Sequence, residues 1–201
     1  MINSIIFDLG NVIFNWNPED LLLRFTNEKR KVKWFLDNII HSKEWLSLDK
    51  GLLDLKKAKS KFLFYFPKEK KLISSFFDNW MAILAPINTN VIISKELKEN
   101  GYNIYILSNF IKEAFDYVSN RNEFLSLFDG KIISGLEKIA KPNIQIYILL
   151  INRYSLIPEE CVFIDDVKPF LRPAKKLGMS VIWHYPGIDL RKELKKLNII
   201  I

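Results

Sequence analysis

A single cysteine, Cys161, stands among 201 residues, which excludes an intramolecular disulfide and any metal site built from cysteines. Such scarcity points to the cytoplasm. No apolar run approaches the length needed to cross a bilayer. The apolar opening, Ile2 to Phe7, is broken by Asp8 too soon for the hydrophobic stretch of a secretory signal, and reads better as a buried strand. Internal repeats and low-complexity tracts are also missing. The chain is therefore read as one domain, or a core with one inserted subdomain.

What is present is ordinary globular material: 49% hydrophobic residues, with 15 Phe and 5 Trp to fill a core. The net charge is +7, and its distribution matters more than its size. Residues 15–90 hold 14 Lys and Arg against 9 Asp and Glu, so most of the surplus sits there. These lysines lie along helix-like stretches such as Lys56-Lys57-Ala58-Lys59-Ser60-Lys61, with acids close by. A solvated helix face is the plainer reading, and steering of a small anionic substrate comes next. Neither nucleic acid nor membrane is expected as a partner.

Five short apolar runs read as strands: Ile2–Phe7, Asn103–Leu107, Lys131–Ser134, Cys161–Ile164 and Ser180–His184. From the second onward they alternate with helical patterns at Phe110–Ser119, Asn143–Tyr154, Lys168–Leu177 and Asp189–Leu197. Runs that are apolar on consecutive residues, separated by helices, predict a parallel sheet covered on both faces. The expected fold is thus a doubly wound α/β core with five parallel strands, Rossmann-like in plan. Residues 15–90 are too long for one crossover and read as several amphipathic helices. Pro18 with Glu19 and Asp20 marks a helix start, while Asp49-Lys50-Gly51 and Phe66-Pro67-Lys68 mark breaks. The expected division is a core of residues 1–14 and 91–201 with a helical cap, 15–90, inserted after the first strand. Ser94–Gly101 reads as the helix and glycine stop leading into the second strand.

Strand carboxyl ends converge on one crevice in such sheets, so polar residues there carry the chemistry. The first strand ends in Asp8-Leu9-Gly10-Asn11, the second in Ser108-Asn109, the fourth in Asp165-Asp166, and Lys141-Pro142 precedes the helix before the fourth. Each suits phosphoryl transfer. A carboxylate can attack phosphorus to give an acyl-phosphate, splitting one hard displacement into two easier ones. Adjacent carboxylates are costly to pack without a cation, and Mg²⁺ takes carboxylate, carbonyl and water oxygens. A hydroxyl, an ammonium and backbone N–H groups can hold the remaining phosphoryl oxygens. Taken singly, these residues have blander uses: Asp8 suits a helix cap or turn, and Ser108-Asn109 alone is more often an N-cap.

The ordered set Phe7-Asp8-Leu9-Gly10-Asn11-Val12, Leu107-Ser108-Asn109, Lys141-Pro142 and Phe163-Ile164-Asp165-Asp166 resembles the four motifs of haloacid dehalogenase-like hydrolases. The 15–90 segment is similar to the helical cap that members carry after the first motif. Glu44-Trp45 with Asp49-Lys50-Gly51, and the stretch Leu171 to Met179, resemble the branch holding sugar-phosphate phosphatases and the phosphatase domain of soluble epoxide hydrolases. The resemblance implies Asp8 as nucleophile and metal ligand, with the Gly10 carbonyl, Asp165 and Asp166 completing a Mg²⁺ site. It implies phosphoryl binding by Ser108 and Lys141, with backbone donors near Leu9 and Asn109. Trp45 either roofs the pocket or packs in the cap.

Two positions depart from the pattern. A second aspartate, the usual general acid and base, commonly stands two residues after the nucleophile; here it is Gly10. Leaving groups of low pKa are therefore expected to be favoured. Phe170 replaces a common asparagine, which removes a hydrogen bond that would support Asp166 or Lys141. His184, His41 and Cys161 read as packing or surface residues. The first functional expectation is Mg²⁺-dependent hydrolysis of a small phosphorylated metabolite, such as a sugar phosphate. The alternatives are a metal-independent haloacid-type dehalogenase and a weakly active or non-catalytic phosphate-ester binding protein.

Overall fold

The computed structural model describes Met1–Ile201. Five parallel strands, β1 (Ser4–Phe7), β2 (Asn103–Ser108), β3 (Gly130–Ile133), β4 (Cys161–Asp165) and β5 (Ser180–Trp183), stand in the order β3-β2-β1-β4-β5. Every residue of β1 and β4 is buried, as expected of strands covered on both faces. The chain moves to one side of β1 through β2 and to the other through β4, so β1 marks the topological switch. Register fixes what gathers there. Phe7 pairs with Ile106 on one side and Ile164 on the other, so Asp8 comes level with Asp165 one residue further on.

Helices α7 (Lys112–Ser119), α9 (Ile144–Tyr154), α10 (Lys168–Lys176) and α11 (Leu190–Lys196) fall where periodicity puts them, within two residues at each end. Between β1 and β2 lie α1 (Pro18–Leu23), α2 (Lys29–Phe35), α3 (Lys43–Asp49), α4 (Leu55–Tyr65), α5 (Lys70–Asn79) and α6 (Asn88–Glu99). Capping is local and legible: Asn17 accepts from the Asp20 N–H at 3.1 Å with Pro18 as first helical residue, and Asp54 accepts from Lys57 N–H at 2.7 Å. A single π turn, Leu36–Ile40, extends α2. The chain enters and leaves α1–α5 through two paired connectors, Asn15 N–H donating to Ala85 O and Ile87 N–H to Ile13 O.

Helix α6 starts six residues before the expected Ser94. Its polar opening, Asn88-Thr89-Asn90, hides a structural residue: Asn90 is buried, donating to Val12 O at 2.7 Å. One hydrophobic core runs from one sheet face, through Phe7 and Ile106, into the helical segment at Phe35, Trp45 and Phe76. A smaller core fills the other face between Phe163, Tyr147 and Leu171. No helix is long and apolar enough to cross a membrane.

Candidate active site

At the carboxyl ends of the strands, carboxylate oxygens of Asp8, Asp165 and Asp166 lie within 4.8 Å of one another. Lys141 reaches into this group from the loop before α9, with its side chain shut off from solvent. Its Nζ donates to Asp165 Oδ2 at 2.6 Å and to Leu107 O at 3.0 Å, and lies 3.0 Å from Asp8 Oδ1. Three acceptors satisfy three donors, so the ammonium is fully engaged by protein oxygens here. Burial alone would lower the Lys141 pKa, but the facing charges of Asp165 and Asp8 outweigh it and raise the value above the ordinary lysine range.

The other members are held with similar economy. Asp165 is completely buried, and its Oδ1 accepts from Val167 N–H at 2.7 Å. Both its oxygens are thus committed within the chain, which makes it the anchor of Lys141. Burial raises its pKa despite that lysine. Asp166 accepts from Asn11 Nδ2 at 3.0 Å, and burial followed by the Asp8 charge pushes it up to about 6. Asn11, in the left-handed region at φ 50°, also accepts from Trp16 N–H, so its amide orients Asp166 while pinning the turn. Burial and the nearby Asp8 charge raise the pKa values of Asp165 and Asp166, and carboxylates crowded in this way favour a cation among them. A hard divalent ion with oxygen ligands fits that donor set.

Ser108 is buried on β2, and its hydroxyl has no hydrogen-bond partner. An orphaned hydroxyl beside the carboxylates is a donor waiting for an acceptor. Asn109 has a different task from the one its neighbour suggests. Its side chain donates to Lys141 O at 3.0 Å and accepts from Lys141 N–H at 2.8 Å, fixing the backbone that carries the lysine. The Leu9 N–H donates to Asp8 Oδ1 at 2.8 Å. Phe170 replaces lost polarity with a ring face. Its centroid lies 5.2 Å from Lys141 Nζ, with Phe163 at 5.3 Å, both within reach of a cation–π contact. The support expected to be missing at this position is supplied in another form.

Beside the carboxylates lies a cavity of about 100 Å³ lined by Gly10 and Asn109, by Phe110, and by Trp16, Trp45 and Trp80. The three indoles meet with centroids 5.6–5.9 Å apart. Trp45 is both packed and pocket-lining, so its two readings coincide. One ionisable residue lines the same cavity: Asp49, at the end of α3, where burial and then the Asp8 charge push its pKa up to about 7. In the sequence Asp49 stands within a helix break and within the Asp49-Lys50-Gly51 resemblance, with no chemical role of its own. Its sole signal was proximity to Gly51, whose φ of 62° and close approach to Gly135 seat the end of α3 on α8 (Ser134–Glu137). His184 is a packing residue, with Nε2 3.0 Å from Asn90 Nδ2 and its N–H donating to Asp165 O.

Residues 93–176 match the family model for haloacid dehalogenase-like hydrolases. A sesquiterpene phosphatase of Aspergillus oryzae is 25% identical over 96% of this chain and 94% of its own length. Bifunctional epoxide hydrolase 2 of Sus scrofa is 33% identical, over 51% of this chain but only 19% of that longer protein. Among solved structures, a HAD family enzyme of Bacteroides thetaiotaomicron, in complex with magnesium and inorganic phosphate, superposes with a TM-score of 0.74. It is 22% identical over 96% of this chain and 99% of its own, a likeness of fold.

Proposed function

We propose that the chain is a haloacid dehalogenase-like hydrolase that cleaves small phosphate monoesters with Mg²⁺ through a phosphorylated Asp8. The observation that carries this reading is the gathering of Asp8, Asp165 and Asp166 within 4.8 Å around a buried lysine. A dehalogenase attacking carbon has no use for that crowd of acids, whereas attack on an anionic phosphorus needs the repulsion relieved.

Asp8, Asp166 and the Gly10 carbonyl would hold the ion, with Asp165 beside them through its hold on Lys141. When bound, Mg²⁺ would neutralise the phosphoryl group and draw it towards the carboxylates. Asp8 supplies the nucleophile, attached to β1 and oriented through Oδ1 by Leu9 N–H and Lys141. Ser108 offers its unpartnered hydroxyl to a phosphoryl oxygen. Lys141 limits the charge that Asp8 and Asp165 present to an incoming anion, and the Asn109 amide keeps Lys141 in place. Attack breaks the ester P–O bond and releases the alcohol. Water then cleaves the acyl-phosphate, returning Asp8 as carboxylate with inorganic phosphate. The indole-lined cavity suits an ester whose organic part is compact and apolar where it meets the protein.

Phosphate release from a panel of phosphorylated metabolites and aryl phosphates tests this. Turnover should depend on Mg²⁺, vanish with EDTA and return on adding Mg²⁺. EDTA-resistant hydrolysis would contradict the metal role, and release of halide from haloacids without metal would favour the dehalogenase reading.

A further inference from the structure

Phosphoryl transfer to Asp8 leaves an alkoxide unless something protonates it, and the first strand offers no acid for this. Gly10 has no side chain, and Asn11 is committed to Asp166 and Trp16. Asp165 has both oxygens occupied, and Asp166 belongs to the group proposed to hold the metal. Lys141 is enclosed by its own acceptors.

The cavity beside Gly10 contains one further carboxyl group, and it comes from the helical segment. Asp49 has its backbone clamped to the core: the Ser134 hydroxyl donates to Asp49 O, while accepting from Phe110 N–H at 3.0 Å. Two residues on, an ideal Cβ at Gly51 would fall 2.0 Å from Gly135 O, so only glycine permits this approach. The side chain of Asp49 enters no ion pair and no hydrogen bond in the chain, unlike every other acid near the site. Around it stand Trp16, Trp45 and Trp80, which limit water and leave a carboxyl free to act on a ligand.

We propose that Asp49 is the catalytic residue that gives a proton to the leaving oxygen and then takes one from the attacking water, replacing the acid that Gly10 lacks. This rests on the phosphatase reading. In the first step Asp8 forms a bond to phosphorus, the ester P–O bond breaks, and the leaving oxygen takes the Asp49 proton to depart as alcohol. In the second, water loses a proton to the Asp49 carboxylate as its oxygen bonds to phosphorus and the Asp8–phosphorus bond breaks. Asp49 ends protonated, and the sum is ester plus water giving alcohol plus phosphate. The low-pKa preference expected from Gly10 alone is thereby relaxed in the wild type.

The test compares wild type and Asp49→Asn on p-nitrophenyl phosphate, whose leaving group needs no proton, and on glycerol phosphate, whose leaving group does. Asn preserves shape while removing the proton. For Asp49→Asn, kcat/KM on glycerol phosphate should fall by ~10²-fold or more, and on p-nitrophenyl phosphate by far less. Loss of the base in the second step should also leave a burst of nitrophenol, equal to the enzyme present, ahead of a slowed steady state. The retained kcat/KM for the aryl ester shows that the variant is folded. Gly10→Asp added to Asp49→Asn should recover alkyl turnover, because a Cβ at Gly10 meets nothing within 4 Å. Equal losses on both substrates, or no loss and no burst, would overturn the role of Asp49 while leaving the phosphatase reading intact. A wild type inert towards both esters with Mg²⁺ would overturn both.

Discussion

Lys141 carries a charge with no exposure to solvent, between two acids and a carbonyl. Removing one partner of a buried pair is costly because the other is left uncompensated, by about 3–5 kcal/mol. Lys141→Met should therefore lower the denaturation midpoint as well as reduce kcat/KM, the latter by ~100-fold or more. Denaturant titration together with steady-state kinetics checks both; a normal midpoint would mean that Asp165 and Asp8 find other neutralisation. Asp166 should fail differently. Asp166→Asn keeps the hydrogen-bonding shape facing Asn11 and removes a charge from the group proposed to hold the metal, so the Mg²⁺ concentration for half-maximal activity should rise. An unchanged Mg²⁺ titration would remove Asp166 from the ligand set. The three acids that gather here were legible because they stand at strand ends, Asp8 after β1 and Asp165-Asp166 at the end of β4, where apolar residues would otherwise continue. What Asn109 and Phe170 do was not legible. An amide can cap a helix, bind phosphate or tie two loops, and only the Lys141 backbone decides among these. A phenylalanine in place of asparagine reads as a loss until its ring is found over the ammonium.

At the level of elements, consecutive apolar residues made the five strands readable, since a strand buried on both faces cannot alternate. The end of α3 was not readable, because it depends on two glycines 84 positions apart meeting across elements. Gly51→Ala should push α3 away from α8, combining a positive φ with a Cβ against Gly135 O. A lower thermal midpoint and a fall in kcat are expected, with less effect on the Mg²⁺ response; wild-type behaviour in all three would mean that Asp49 does not need this seat. The end of β5 offers a pH test. Burial lowers the His184 pKa, so the native state favours the neutral ring that faces Asn90. Its contribution is then fully present above the ordinary histidine value of about 6.5 and is lost progressively as pH falls below it. Between about pH 7.5 and about 5.5, wild type should therefore lose more thermal stability than His184→Gln. Parallel curves would show that the imidazole is not the titrating group.

Over the whole molecule, the helical segment and the sheet share one hydrophobic core, which lets a residue from one serve a site built on the other. The basic surplus of this segment is partly spent on local pairs, such as Lys33 with Asp37 at 2.5 Å and Lys59 with Asp78 at 2.5 Å. Exposed pairs of this kind are worth little to stability, and they support the solvated-face reading of its charge. The central claim is that Asp8 becomes phosphorylated, and the most direct measurement is capture of that intermediate. Wild-type enzyme with Mg²⁺ and a ³²P-labelled phosphate ester, quenched in acid during turnover and digested, should carry label on the peptide containing Asp8. Hydroxylamine should release it as expected of an acyl-phosphate, and Asp8→Asn should show neither label nor turnover. Phosphate release by Asp8→Asn at the wild-type rate, with no labelled peptide in either protein, would contradict the account.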